Sequence, residues 1–134
     1  MAVMRISAAR VNLGDNRLDD AILKDYGETL VTANTSTSYT IDISTGNAFS
    51  LIMTGNCTFT FSNPKATGTA CSFTLILQQD GTGSRTATWP AAVKWPAATA
   101  PTLTTTASRF DVLTFLTVDG GTRYFGFTAA QNFA

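Results

Sequence analysis

Few residues of this chain could carry chemistry, and they do not form a recognisable site. The 134 residues include no histidine, which excludes Ser-His and Cys-His catalysis and removes the commonest zinc ligand. Asp15, Asp19 and Asp20 lie close together in the sequence, and paired carboxylates can hydrolyse glycosides. Because the surrounding segment shows no regular periodicity, it implies no groove around them. We therefore expect no enzymatic activity, no catalytic residue, no metal site and no cofactor.

The turn-like segment Asp80-Gly81-Thr82-Gly83-Ser84 offers alternating oxygen atoms. A calcium loop would need further acidic ligands, which this segment lacks. The preferred interpretation is an Asx turn, in which the aspartate side chain accepts backbone N–H groups and glycine occupies the positive-φ positions.

Three aromatic residues could form a sugar-stacking face: Trp89, Trp95 and Tyr124. Trp89 and Trp95 are six residues apart, a spacing that keeps two strand residues on one side of a sheet. The alternative is that these rings anchor the core or a protein interface, since aromatic side chains dominate burial. We favour the second interpretation.

Short strands must position these residues, because from residue 37 onward apolar residues alternate with polar ones between turns spaced eight to twelve residues apart. That pattern is typical of an all-β sandwich or barrel. The segment Thr54-Gly55-Asn56-Cys57 predicts a tight hairpin, Phe110 to Val118 a central strand, and Thr102 to Thr105 a further short strand. No internal repeat of 20–50 residues is visible, which argues against a solenoid. The prediction is an antiparallel, jelly-roll-like β-sandwich over residues 37–134.

Residues 1–36 form a separate region in this prediction, an extended N-terminal arm. The region holds several acidic residues and no strict alternation. Its apolar residues would have little reason to be apolar in a free tail, so we expect the arm to dock on a partner. The candidate docking residues are Val11, Leu13, Leu18, Ile22 and Leu23.

Charge and hydropathy exclude several classes of partner. Nine basic and nine acidic residues give a formal net charge of zero, without the clustered basic footprint that nucleic-acid binding needs. No apolar run reaches the ~18 residues of a membrane span, and the N-terminus lacks a signal-peptide apolar region. Charged residues make up only 13% of the chain, which suggests that partners cover part of the surface. We expect production in the cytoplasm and no membrane partner.

The two cysteines, Cys57 and Cys71, share strand parity with large apolar neighbours. If their strands pair about a turn near Lys65, the register separates the two Cα atoms beyond the ~7 Å that a disulfide allows. A slipped register would still permit one. The prediction is two buried free thiols that act as small hydrophobic residues.

Five motifs follow one another along the chain: Thr54-Gly55-Asn56-x-Thr58-Phe59, Leu77-x-Gln79-Asp80-Gly81-Thr82-Gly83-Ser84-Arg85-Thr86-x-Thr88-Trp89-Pro90, Val93-Lys94-Trp95, Ala100-Pro101-Thr102-Leu103 and Asp111-Val112-Leu113-Thr114-Phe115. In this order they resemble a β-rich module of tailed-bacteriophage virion proteins, found in tail-fibre-like and head-decoration-like proteins. The resemblance covers roughly residues 46 to 128, and where the pattern has Gly-Gly-Thr this chain has Ala97-Ala98-Thr99.

The resemblance implies a virion structural protein that assembles as a homotrimer. A chain with one arm and one compact domain favours a capsid decoration (cement) protein, located on the capsid surface and bound to the major capsid protein or another virion protein. A ligand that binds only the assembled shell stabilises it. The alternative is a tail-fibre or tail-tip component that binds a host surface glycan, for which Trp89, Trp95 and Tyr124 are the candidate residues.

Overall fold

The computed structural model describes residues 19–134 and confirms an all-β fold. These residues form nine strands, and their only helical segment is a 3-10 turn at Pro96–Ala98. The strands are β1 (Leu30–Thr35), β2 (Ser38–Asp42), β3 (Ala48–Met53), β4 (Cys57–Ser62), β5 (Cys71–Gln79), β6 (Ala87–Thr88), β7 (Val93–Lys94), β8 (Phe110–Thr117) and β9 (Tyr124–Phe133).

Two sheets pack face to face, as predicted for a sandwich, but their pairing is mixed. Sheet 1 has the order β1-β3-β5-β8-β9-β7, and sheet 2 has the order β2-β4-β6. Sheet 2 is wholly parallel, as are the pairs β1–β3, β3–β5 and β7–β9; only β5–β8 and β8–β9 are antiparallel. The predicted antiparallel pairing is therefore wrong for most of the fold. Alternation of apolar and polar residues indicates which face of a strand is buried, but it is the same for parallel and antiparallel strands and so does not predict strand direction.

The first six strands form three stacked coils, each with one strand in either sheet: β1–β2, β3–β4 and β5–β6. The predicted hairpin at Gly55-Asn56 is consequently a corner between the two sheets. Its backbone groups pair with the preceding corner, since Thr54 N–H donates to Thr35 O at 3.0 Å and Thr58 N–H donates to Thr37 O at 3.0 Å. The coils escape a repeat search because their lengths differ: Leu30 lies beside Ala48, which lies beside Thr74.

The core lies between the sheets and is built from the inward-facing residues of β3, β4, β5 and β8. Phe61 of sheet 2 packs edge-on against Phe73, Phe115 and Tyr124 of sheet 1, with ring centroids 5.0–5.1 Å apart. Full burial of a side chain of this size stabilises the fold by ~1.5–3 kcal/mol. As predicted, β8 is a central strand between β5 and β9.

The two ends of the stack differ. Strands β1 and β2 form open edges at one end, with six and five residues. At the other end β6 and β7 have two residues each, and each is followed by Trp-Pro. Short strands and proline protect sheet edges from further pairing.

Three predicted boundaries and pairings change in the structure. Sheet 1 begins at Leu30, so the predicted arm contains a strand of the domain and the boundary at 37 falls within the first coil. Residues 102–105 form a loop instead of a strand. Both cysteines are free, as predicted, with Cys57 buried and Cys71 half-buried. Their strands, β4 and β5, belong to different sheets and do not pair with each other.

Within residues 19–134, no helix has the length and apolar character needed to cross a bilayer.

Candidate functional site

The three predicted aromatic residues occupy different depths. Tyr124 is only 3% exposed and belongs to the core. Trp89 is half-buried and stacks on Phe59 with ring centroids 5.2 Å apart. Trp95 contacts Trp89 edge-on at 5.5 Å and is also half-buried. The structure therefore joins the two tryptophans in one cluster and leaves Tyr124 away from the surface.

Trp95 packs beside a glycine of the neighbouring strand β9. A Cβ atom added to Gly126 of β9 would be 2.7 Å from the Trp95 ring, closer than any normal contact. Because Gly126 has no side chain, the indole packs directly against the backbone of β9, and it also contacts Phe115 edge-on with ring centroids 5.6 Å apart. One side of the indole is thus fixed by packing, which is what a binding platform requires.

The loop after Trp95 forms one wall of a groove and has an unusual backbone. Ala97 and Ala98 have φ values of 51° and 55°, the left-handed region that glycine favours. These are the positions where the resembling module has Gly-Gly. The chain keeps the glycine-like loop shape with alanine, closed by Ala98 N–H to Trp95 O at 3.0 Å and Thr99 N–H to Pro96 O at 3.1 Å.

Asp111 fastens the continuation of this wall to the sheet. Its carboxylate is 3% exposed and accepts the Thr104 N–H and the Thr104 hydroxyl, each at 2.6 Å. It also accepts the Asn132 N–H at 3.0 Å and the Gln131 side-chain N–H at 3.2 Å. Gln131 donates in addition to Thr102 O at 2.8 Å. Asp111 is therefore a positioning residue for the loop that carries Pro101 and Thr102.

Trp95, the loop that follows it and β9 line an open groove of about 490 Å³, which we call the aromatic groove. A smaller depression of about 310 Å³ adjoins it and shares Trp95, Pro96 and Phe127. Phe127 is 47% exposed and stands opposite the loop wall. The aromatic groove is lined by Trp95, Pro96, Thr99, Ala100, Pro101, Thr102, Phe127 and Thr128.

The chemistry of the aromatic groove is that of a site for a neutral, partly apolar ligand. Its walls combine aromatic rings and proline with threonine hydroxyls, and no lining residue is ionisable. Small-molecule sites commonly pair an apolar lining with a few polar groups that fix orientation. A sugar ring matches this lining, since it has an apolar face and hydroxyls at its rim.

The segment 80–84 is a structural turn, as the preferred interpretation predicted. Asp80 Oδ1 accepts the N–H groups of Thr82 at 3.0 Å and Gly83 at 2.9 Å, and Oδ2 lies 2.7 Å from the Arg85 guanidinium. The hydrogen-bonded Arg85 lowers the pKa of Asp80, and the backbone donors contribute in the same direction. Because these groups already occupy the carboxylate, it is a structural acceptor of the turn.

The remaining predicted residues form no site in the part of the chain that the structure describes. Ile22 and Leu23 are 96% and 65% exposed in a segment without regular structure. Val11, Leu13 and Leu18 lie outside the described residues. Across residues 19–134 no three His, Cys, Asp or Glu side chains group in a way that could hold a metal ion.

Phe127 lines the groove although no sequence motif identifies it as a site residue. The alternation along β9 could have shown its orientation. Tyr124 and Gly126 point inward, so the alternate residues Phe125 and Phe127 point outward. Pro101 and Thr102 could not be placed in a groove without the tertiary contact that Gln131 makes.

A comparison with protein-family models gives one match. The family described as "Putative phage tail fibre C-terminal domain" matches residues 31–123. The matched range begins in β1 and ends just before β9, so it includes all three coils and the loop wall of the aromatic groove. No curated protein and no solved structure matches the chain.

Proposed function

Because the chain belongs to this phage tail fibre C-terminal domain family, we propose that it is a tail-fibre component that contacts the host cell surface. The family makes the chain a virion structural protein of a bacteriophage. The match to a tail-fibre domain over residues 31–123 carries the proposal of a tail location. The prediction of a capsid decoration protein has no comparable support.

We propose further that the aromatic groove binds a neutral glycan of the host surface. Trp95 supplies a platform held by packing on Gly126, and Phe127 supplies a second apolar wall. Thr99, Thr102 and Thr128 place hydroxyls at the rim. An uncharged lining of aromatic rings and hydroxyls suits a sugar, which has an apolar face and hydroxyls at its edge.

Immunogold labelling of intact particles tests the location. An antibody against this chain is expected to label the tail or its tip. Label spread evenly over the heads would overturn the tail proposal in favour of capsid decoration.

Binding of the purified protein to host cells tests the groove. Thr99→Arg places a charged, bulky side chain at an exposed groove position and is expected to reduce cell binding at least tenfold. Thr58→Arg is the matched control, because Thr58 is exposed on the outer side of sheet 2. Periodate oxidation of the cells, which cleaves sugar diols, is expected to abolish binding of the unaltered protein. Equal binding by Thr99→Arg, or full binding to oxidised cells, would contradict the glycan proposal.

We also propose that the N-terminal segment docks on another virion protein. The high exposure of Ile22 and Leu23 supports this, because the domain itself does not cover these side chains. Ile22→Asp with Leu23→Asp is expected to block incorporation into particles without changing the melting temperature. Normal incorporation of the double variant would argue against docking through these residues.

A further inference from the structure

A smaller and more enclosed pocket lies beside the aromatic groove, and we call it the side pocket. It has a volume of about 210 Å³ and shares Pro101 and Thr102 with the groove. Complete ligand sites usually measure ~300–1,000 Å³, so a pocket of this size suits one part of a ligand whose remainder lies in the groove. Thr102 is exposed, which leaves the passage between the two open. The other lining residues are Arg85, Thr86, Ala87, Leu103 and Thr105.

Hydrogen bonds hold both walls of the side pocket in place. Gln79, which is 4% exposed, accepts the Arg85 N–H at 2.8 Å and donates to Arg85 O at 3.0 Å. The Ser84 N–H donates to Thr105 O at 2.7 Å and so joins the two walls. A Cβ atom added to Gly83 would lie 2.5 Å from the same Thr105 O, so this close approach requires glycine. The side pocket is therefore preformed, as a binding site requires.

The side pocket offers a cationic donor whose charge is already compensated. Arg85 is the one ionisable residue among those that line it, and its Nε and Nη2 atoms donate to the Asp80 carboxylate at 3.1 and 2.7 Å. Within residues 19–134 the third guanidinium nitrogen, Nη1, has no acceptor. Arginine only donates hydrogen bonds, so Nη1 suits a ligand oxygen. Because Asp80 would repel a ligand carboxylate at the same guanidinium, a neutral carbonyl oxygen suits it better.

The rest of the lining combines apolar surface with hydroxyl groups. Leu103 is 9% exposed, and Ala87 packs against the core. Pro101 adds a third apolar side chain, and Thr86 and Thr105 add hydroxyls. An acetamido group matches this combination, because its methyl group packs on apolar side chains while its carbonyl oxygen accepts a hydrogen bond. A sugar with a plain hydroxyl at that position would leave the apolar side chains uncovered.

We infer that the side pocket is a second subsite of the aromatic groove and selects an N-acetylated amino sugar. The inference rests on the proposed glycan-binding function and narrows its ligand to an oligosaccharide of at least two units. One ring lies against Trp95, and the next unit passes over Thr102 and places its acetamido group in the side pocket. Arg85 and Leu103 are then specificity-determining residues, and Gln79 is a positioning residue for Arg85.

Binding of the full chain to paired oligosaccharides tests this inference. The probes are immobilised neutral oligosaccharides of two to four units, each prepared with an N-acetylated amino sugar and again with a hydroxyl in place of the acetamido group. The unaltered protein is expected to bind the N-acetylated form about tenfold more tightly or better, because the hydroxyl form leaves the donor and the apolar lining without their partners. Oligosaccharides with a carboxylate in place of the acetamido group form a third set and are expected to bind no better than the hydroxyl form.

Three variants assign the preference to the side pocket. Thr105→Arg introduces a bulky side chain at an exposed lining position and is expected to bring the affinity ratio of the paired probes close to one. Thr106→Arg is the matched control, because Thr106 is the exposed neighbour outside the lining, and it is expected to keep the ratio. Arg85→Lys keeps a positive charge for Asp80 but removes Nη1, and it is expected to lower the ratio several-fold. Circular dichroism establishes that each variant is folded.

The outcomes distinguish this inference from the proposed function. Equal binding of the paired probes, tighter binding of the carboxylate form, or a folded Thr105→Arg variant that keeps the ratio would overturn the inference. If binding is equal and Thr99→Arg abolishes it, the groove binds glycan without selection by the side pocket. If the ratio depends on Thr105 and Thr99→Arg binds normally, the side pocket selects the acetamido group and the groove proposal fails. Binding to none of the probes would overturn both.

Discussion

Replacement of Asp111 by alanine is expected to be the most damaging single change of a polar residue in the described domain. The carboxylate is 3% exposed and accepts four hydrogen bonds, from Thr104 N–H, the Thr104 hydroxyl, Gln131 and Asn132. Its removal breaks the bonds that fasten Thr104 of the loop wall to β8 and leaves the Gln131 bond to Thr102 O as the remaining side-chain link to β9.

The magnitude follows from the donors that lose their acceptor. Gln131 and Asn132 are exposed and can turn to water, whereas Thr104 is half-buried and its two short bonds are the costly losses. A hydrogen bond to a charged group contributes ~1.5–3 kcal/mol. Two such bonds predict a loss of about 3–6 kcal/mol, a large share of the ~5–15 kcal/mol stability of a domain.

Urea unfolding followed by circular dichroism measures this loss. With a slope of ~1.5–2 kcal/mol per molar for a domain of this size, Asp111→Ala is expected to lower the midpoint by roughly 2 M. Asp111→Asn keeps the side-chain volume and one acceptor oxygen, so its urea midpoint is expected to lie between those of the unaltered protein and Asp111→Ala. Asp42→Ala is the control, because Asp42 is a partly buried aspartate at the surface whose carboxylate bonds mainly within its own turn, to Ser44 N–H and hydroxyl, with a further side-chain bond from Asn63. A midpoint for Asp111→Ala no lower than that of the control would refute the reasoning.

Three further predictions follow from local geometry. Ala97→Gly and Ala98→Gly are each expected to raise the free energy of unfolding by roughly 0.5–1 kcal/mol. Left-handed φ costs an L-residue ~1–2 kcal/mol, and the larger conformational entropy that glycine loses on folding offsets part of the relief. A lower melting temperature for either variant would contradict the backbone strain at these residues. Stability is expected to be constant above about pH 5 and to fall as the pH drops below 3.8, since hydrogen bonds lower the folded-state pKa of Asp80 and this contribution is lost on protonation. Thermal melts should therefore show a shallower acid slope for Asp80→Asn. Cys57 is expected to resist a thiol reagent until unfolding, because burial covers its thiol and raises its pKa, whereas Cys71 reacts in the native state; simultaneous reaction of both would argue against this burial.

The sequence predicts the strands and the core well, because inward residues such as Phe59, Phe73 and Leu75 alternate cleanly with polar ones. The direction of pairing and the stacking of coils depend on corner contacts such as Thr54 N–H to Thr35 O, which leave no periodic trace. The predicted arm includes β1 because residues 1–36 as a whole show no strict alternation of apolar and polar residues, and the short segment LVTANT does not stand out from them.

The candidate site was predicted in part. The sequence marks Trp95 as a core or interface anchor with sugar stacking as the alternative, and the packing of its ring depends on Gly126, thirty-one residues later in the chain. The left-handed backbone at Ala97 and Ala98 could be predicted only from the Gly-Gly that the resembling module has at these positions. The buried bonds of Asp111 join three distant segments, and no local pattern encodes such a junction.

The two ends of the stack differ in their exposed strand edges, a difference that a closed barrel does not have. On the open strands β1 and β2, alternate residues direct backbone N–H and C=O groups away from their neighbours. The opposite end has two-residue strands interrupted by Pro90 and Pro96. Within residues 19–134, an added strand would therefore find six- and five-residue partners at the β1–β2 end, whereas at the Trp-Pro end β7 covers only two of the ten residues of β9.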